Sequence, residues 1–281
     1  MRLVLSRKGF DSASGGCPSP IFPDGSMIAL PIPDRTSAVR YEDLVWRGRN
    51  LGEVVETLTG GKKRRAFGAH LDPDLRASLR PRPPGWRPAL GQLGAAQGHL
   101  RNHGVGPGDL FVFWGLFRRV DARLRWEGPP LHVIWGWLQV ATVAPVDATV
   151  RPALDGSWRW AEAHPHLAFP PDPASTLYVA ADRLDLPGLR AEPSGAGFFD
   201  FYDDARRLTD PSARGPGTWK LPLGFLPGRR TPLSYHSRAK RWTRRDDHVL
   251  LEVAPRGQEF VLDGDAYAEA VDWVAGLLAH G

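Results

Sequence analysis

Two aromatic runs, each broken by a glycine, constrain the fold of this chain more than any other stretch. The first, Leu110 to Trp114 (LFVFW), is entered by the turn Gly106-Pro107-Gly108-Asp109 and is continued or turned by Leu116 to Val120. The second, Leu131 to Val143 (LHVIWGWLQVATV), is longer and carries Gly136 at its centre. β-branched and aromatic residues pack well on a pleated surface, so both runs predict strands, joined through a charged hairpin region. Gly136 marks a bend or bulge, the device by which curved sheets and small barrels turn corners.

Leu3-Val4-Leu5 predicts a short buried strand at the start, and Leu177 to Ala180 another. Leu250 to Val253 and Glu259 to Leu262 read as a final hairpin around Pro255-Arg256-Gly257. Helix is sparser. Residues 34–66 read as partly helical, ended by Gly60-Gly61, and Ala89 to Gly104 as a short helix. Asp265 is suited to N-cap a closing helix striped by Ala266, Ala270, Trp273, Val274 and Leu277. The four prolines of Arg80 to Pro88 (RPRPPGWRP) exclude a regular element there. With 31 glycines and 27 prolines in 281 residues, loops should be long and helices few. The expectation is an α+β fold, a mixed or barrel-like curved β-sheet with a few helices and long Pro/Gly-rich loops. It is read as one domain over residues 1–281, with an internal lobe boundary near 80–88 as the alternative.

A single cysteine, Cys17, excludes a disulfide framework or a cysteine-built zinc site within one chain. The opening lacks a charged segment followed by an apolar one, and no run approaches the roughly 18 apolar residues of a membrane span. These features predict a cytoplasmic protein that does not enter a membrane. The formal charge of +5 is carried mainly by arginine, whose guanidinium fork pairs two phosphate oxygens at once. Eleven tryptophans imply a large aromatic core or surfaces on which bases stack.

The groups that chemistry can use cluster first in the opening loop. Ser6, Arg7, Lys8, Ser12, Gly15 and Gly16 can hold a phosphate-bearing substrate, through the cations and through backbone N–H groups aimed at an anion. The loop has neither the ending of a P-loop nor the spacing of a dinucleotide turn, and an entry loop without a ligand is the other reading. Asp11 can act as a base or bind a ribose hydroxyl. Cys17, beside cations that favour a thiolate, is a candidate nucleophile or a small packing residue. Lys62 to Arg65 can contact phosphate or form a solvated turn. His99 and His103 lie one turn apart without an evident third ligand. Glu162, His164 and His166 would share one side of an extended segment, as metal ligands, as an acid/base group or as an exposed loop. No metal is assigned there, and no cofactor is identified. Near the end, Tyr235, Arg241 and Trp242 interleave cations with aromatics as a single-stranded nucleic-acid groove does. His236 and Glu259 are acid/base candidates, and Gln258 lies beside the latter as a substrate contact.

The segments SRKGFDSASGGCPSPIFPDGSMIALPIP, PGDLFVFWGLFR, LHVIWGWLQV, TLYVAAD, SYHS and RGQEFVLD together resemble the bacterial nucleotide-modification-associated domain family, third type, over nearly the whole chain. The resemblance implies association with systems that modify bases, and carries no catalytic residues across. PGDLFVFWG and LHVIWGWLQVATV also look like the barrel of base-binding PUA-type modules. The expected function is a catalytic component of a nucleic-acid or nucleotide base-modification system, a transferase or a hydrolase. The alternatives are a non-catalytic reader of modified bases and an enzyme of free nucleotides. Other components of such a system are the expected protein partners.

Overall fold

The computed structural model describes residues 1–168, 170, 172–189 and 193–279. In chain order, β1 (Arg2–Arg7), β2 (Ser19–Ile21), β3 (Ile32–Pro33), β4 (Val45–Trp46) and β5 (Arg49–Asn50) lead into helix α1 (Leu51–Leu58). Strands β6 (Ala69–His70) and β7 (Ala89–Gln92) then precede α2 (Gly94–Asn102). The long β8 (Leu110–Val120) and β9 (Trp126–Pro145) follow, with β10 (Thr176–Ala180) and β11 (Ala196–Phe198). The chain closes with β12 (Thr218–Pro222), β13 (Trp242–Arg244), β14 (His248–Glu252), β15 (Glu259–Asp263) and α3 (Ala268–Leu278). Strand outweighs helix, 33% to 22%, and the fold is α+β, built on a strongly curled mixed half-barrel. No helix among the described residues is long and apolar enough to cross a membrane.

The main sheet runs β15-β1-β8-β9-β10-β7, with β2 on β8 and β11 on β9. β1 pairs antiparallel with β15 and parallel with β8, so segments from both ends of the chain lie side by side. Its Leu3, Val4 and Leu5 are fully buried, which explains an apolar run too short to show alternation. Where β8 meets β9 the register slips, Phe113 facing Gly136 and Trp114 facing Ile134, so Trp135 is the extra residue of a bulge beside the glycine. A Cβ on Gly136 would stand 2.8 Å from the Gly197 carbonyl, so the approach of β11 requires glycine. The strands at the two ends of the order meet through side chains: the Gln92 amide donates to the Glu259 carboxylate in the interior.

Three local expectations are corrected. Ala89 to Gln92 is strand, not helix: it pairs with Thr176 to Val179, and α2 begins only at Gly94. Four residues are too few to reveal a period. The final hairpin does not form. β14 joins β12 and β13 in a separate three-stranded sheet, while β15 crosses to β1. The closing helix starts later than Asp265, with Tyr267 at the N-cap, and Asp265 instead binds the N-terminal ammonium at 2.8 Å.

Candidate functional site

Inside the half-barrel, Lys8, Glu259 and Gln92 form a buried polar cluster. Register sets Ser6 opposite both Glu259 and Phe113, and directly opposed residues share a face. Lys8 Nζ lies 3.1 Å from Glu259 Oε1, with the two side chains 9% and 1% exposed. The second carboxylate oxygen of Glu259, Ser6 Oγ and Trp135 Nε1 are buried without a hydrogen-bond partner among the described residues. Trp135 stacks on Phe113 with ring centres 5.4 Å apart. The fold thus brings Ser6 and Lys8 of the opening segment to Glu259, 251 residues after Lys8 in the chain.

The remaining candidates go elsewhere. The Asp11 carboxylate closes its own turn by accepting from the N–H groups of Ala13 and Ser14, with Arg7 Nε at 3.8 Å. Gly15, at φ +102°, lies against Phe10, where a Cβ would meet the ring at 2.5 Å. Ser12 and Gly16 are exposed beside it. Cys17 packs in the core cluster of Phe10 and Tyr41, and burial pushes its thiol up to about 11. His236 is fully buried. Its Nδ1 bonds the Ser234 carbonyl at 2.7 Å and its Nε2 accepts from Ala254 N–H at 3.0 Å, while burial pushes the imidazole down to about 4. Those two bonds leave neither ring nitrogen for a substrate. No hydrogen bond or ion pair joins Asp11, Cys17, His236 and Glu259 to one another among the described residues.

Of the basic groove near the end, Tyr235 is 48% exposed and lies over His99, with ring centres 4.6 Å apart. Arg241 binds the Glu252 carbonyl and Trp242 Nε1 donates to the His236 carbonyl, so both serve the local fold. Gln258 is exposed, and its carbonyl accepts from Arg7 N–H. In the run from Lys62 to Arg65, both arginines bind Glu56 and Lys63 lies over Phe67, which uses three of its four cations locally. The His99–His103 pair is likewise engaged, with His99 Nε2 3.0 Å from Ser234 Oγ and His103 Nδ1 bonded to the His99 carbonyl.

Two features escaped the sequence. The first is a set of histidines around Asp72. His164 and His166 do converge, but not with Glu162, because Pro165–Leu167 is a single helical turn and Glu162 is left exposed. Instead His164 Nε2 lies 3.5 Å from Asp72 Oδ1, while His166 Nε2 and His70 Nε2 lie 3.6 and 3.9 Å from Oδ2. Gly91 N–H donates to Oδ1 at 2.6 Å. Burial opposes charge on Asp72, but the His164 and His166 imidazoles facing it hold its carboxyl well below the usual range. Adjacent residues of β7 thus serve both buried clusters, Gly91 that of Asp72 and Gln92 that of Glu259.

The second is a groove of about 1410 Å³ between the Arg80–Arg87 segment and residues 156–162. Arg80, Arg82, Arg87 and Arg159 line it together with Trp158 and Trp160, whose rings stack 5.6 Å apart. Arg82 and Arg87 are paired with Asp74 and Asp182, whereas Arg80 and Arg159 make no side-chain hydrogen bond or ion pair among the described residues. Arg80, Arg82 and Trp160 also line a small separate pocket with His164 in its wall, so the groove lies on the His164 side of the Asp72 cluster. RPRPPGWRP signalled an irregular segment, and only its pairing in space with Trp158 and Trp160 makes it a groove wall.

Fold and site together define a class: a curled α+β half-barrel with a buried histidine–aspartate cluster and, near its His164, a basic, aromatic groove. The chain belongs to the nucleotide modification associated domain 3 family, whose model matches residues 2–263. No curated protein and no solved structure resembles it closely enough to count as a match.

Proposed function

We propose that this protein is the catalytic component of a base-modification system and takes a phosphate-bearing nucleotide or single strand in the groove between Arg80–Arg87 and Trp158–Trp160. The observation that carries the reading is the joining of unpaired arginines to a tryptophan stack in one concave surface. Arginine answers the phosphate and indole answers the base, the two requirements of unpaired nucleic acid. His164, in the wall of a small pocket beside the groove, stands next to a place for chemistry: a carboxylate ringed by imidazoles can hold or move a proton at a base edge. The family's association with nucleotide modification agrees with it.

The half-barrel favours a second reading, a non-catalytic reader of modified bases. Ser6 Oγ, Glu259 Oε2 and Trp135 Nε1 are polar atoms without partners beside an aromatic stack. A base edge would satisfy them if the interior opened.

The test is a binding titration of single-stranded DNA, duplex DNA and free nucleotides at two salt concentrations, followed by product analysis by mass spectrometry. Arg80→Ala with Arg159→Ala should weaken single-strand binding and lower its salt slope by about 0.7 for each phosphate no longer neutralised. Trp158→Ala should cost about 1–3 kcal/mol per stacked base. Binding untouched by these variants overturns the groove. Tight binding that never yields a product, and is lost with Trp135→Ala, moves the assignment to the reader.

A further inference from the structure

We propose that His70 Nε2, Asp72 Oδ2 and His166 Nε2 bind one divalent first-row transition ion, of the zinc or iron(II) class. The three donor atoms converge from two distant parts of the chain, the end of β6 with the residues just after it and the turn at Pro165, and all lie within 4.8 Å of one another. Their separations fit a shared ion better than they fit direct bonds. At 3.6 and 3.9 Å the imidazole nitrogens stand too far from Asp72 Oδ2 for hydrogen bonds. Two ligands at ordinary metal distances around a tetrahedral ion stand about 3.4 Å apart, close to what is seen.

The surroundings orient the donors. Asp34 Oδ2 accepts from His70 Nδ1 at 3.0 Å, which directs the lone pair of Nε2 toward Asp72. This is the outer-shell arrangement that fixes the tautomer of a metal-binding histidine. Gly91 N–H fixes Asp72 Oδ1 and leaves Oδ2 for the ion. His164 accepts the His166 N–H at Nδ1, and its Nε2 faces Oδ1, the oxygen held by Gly91, rather than Oδ2, so His164 is left outside the ligand set. Two imidazoles and one carboxylate leave coordination positions open for water or substrate, as catalytic sites do. His164, beside the carboxylate, also lines a small pocket that shares Arg80, Arg82 and Trp160 with the groove, so an ion here would lie near the proposed substrate surface.

The inference rests on the proposed function only for the use made of the ion, and its test needs no substrate. The full chain, with any affinity tag removed, is purified anaerobically, assayed for bound metal, stripped with chelator and titrated with cobalt(II) and zinc(II). About one equivalent per chain is expected, with visible cobalt bands that zinc displaces. His70→Gln and His166→Gln should abolish the bands. Asp34→Asn, which leaves all three ligands in place, should weaken affinity about 10–100-fold. Folded wild-type protein that takes up no cobalt overturns the proposal. So does uptake that survives His70→Gln and Asp34→Asn together. If the ligand variants do not fold, the wild-type stoichiometry and Asp34→Asn decide. Arg80→Ala with Arg159→Ala should keep the metal, so loss of polymer binding with the ion retained would count against the groove alone.

Discussion

At the scale of single residues, burial decides which reactive-looking groups can react. Cys17 follows two glycines near Arg7 and Lys8, an address that suggests an activated thiol. Its side chain instead lies in the core, 9% exposed, and desolvation raises its value from 9.0 to about 11. A two-unit rise means roughly a hundredfold less thiolate at neutral pH. Alkylation by iodoacetamide at pH 7.5, followed by mass spectrometry, should therefore run at least about a hundredfold slower in native protein than in urea. Equal rates would restore Cys17 as a nucleophile. The opposite case is Glu259, whose one free oxygen stays unpartnered beside Lys8 in the interior. Its position at a strand start was legible in sequence. Its buried partners were not, because Lys8 and Gln92 reach it only once the sheet has curled.

At the scale of elements, two glycines near one another in sequence have opposite roles. A Cβ on Gly91 of β7 would stand 2.2 Å from the His166 ring, whereas one on Gly98 in the middle of α2 would meet nothing within 4 Å. Gly98→Ala should stabilise the protein by about 0.5–1 kcal/mol through helix propensity. Gly91→Ala should destabilise it by about 2 kcal/mol or more through overpacking, and should also displace His166. Urea unfolding of both variants measures the contrast, and a neutral Gly91→Ala would mean that the ring is free to move. The strands were the most legible elements, because alternation, aromatic content and Gly136 all pointed the same way in β8 and β9. The Asp72 cluster was not legible. His164-Pro-His166 was visible as a pair, but its expected partner assumed extended chain, and the turn at Pro165 sends Glu162 outward. Nothing local links His70, Asp72 and Asp34 to a pair of histidines so distant along the chain.

At the scale of the whole molecule, buried neutral histidines tie stability to pH. Burial lowers His236 to about 4 and His132 to about 3, while both return to about 6.5 in the unfolded chain. The unfolded state then binds more protons below pH 6.5, so this contribution is complete above that value and is lost as pH falls through the folded values. Urea midpoints should fall steadily from pH 7 to pH 4, by on the order of a few kcal/mol in stability. The stretch from 6.5 to 5 isolates the histidines, since carboxyls with lowered values titrate below it. Asp74, which burial raises, works in the opposite sense, and a flat profile would mean that these rings are solvated. The α+β class was legible from composition and strand pattern. The sheet order was not, because β1 finds its partners in β8 and β15 and no short-range signal names them. That order also has a consequence during synthesis. Leu3 leaves the ribosome long before Leu110, its first partner, and longer still before Leu262, its second. At roughly 5–20 residues per second the wait for the second runs to tens of seconds, during which an apolar strand is exposed on a nascent chain. A chaperone that shields emerging apolar segments should hold this protein from its first strand until nearly its last.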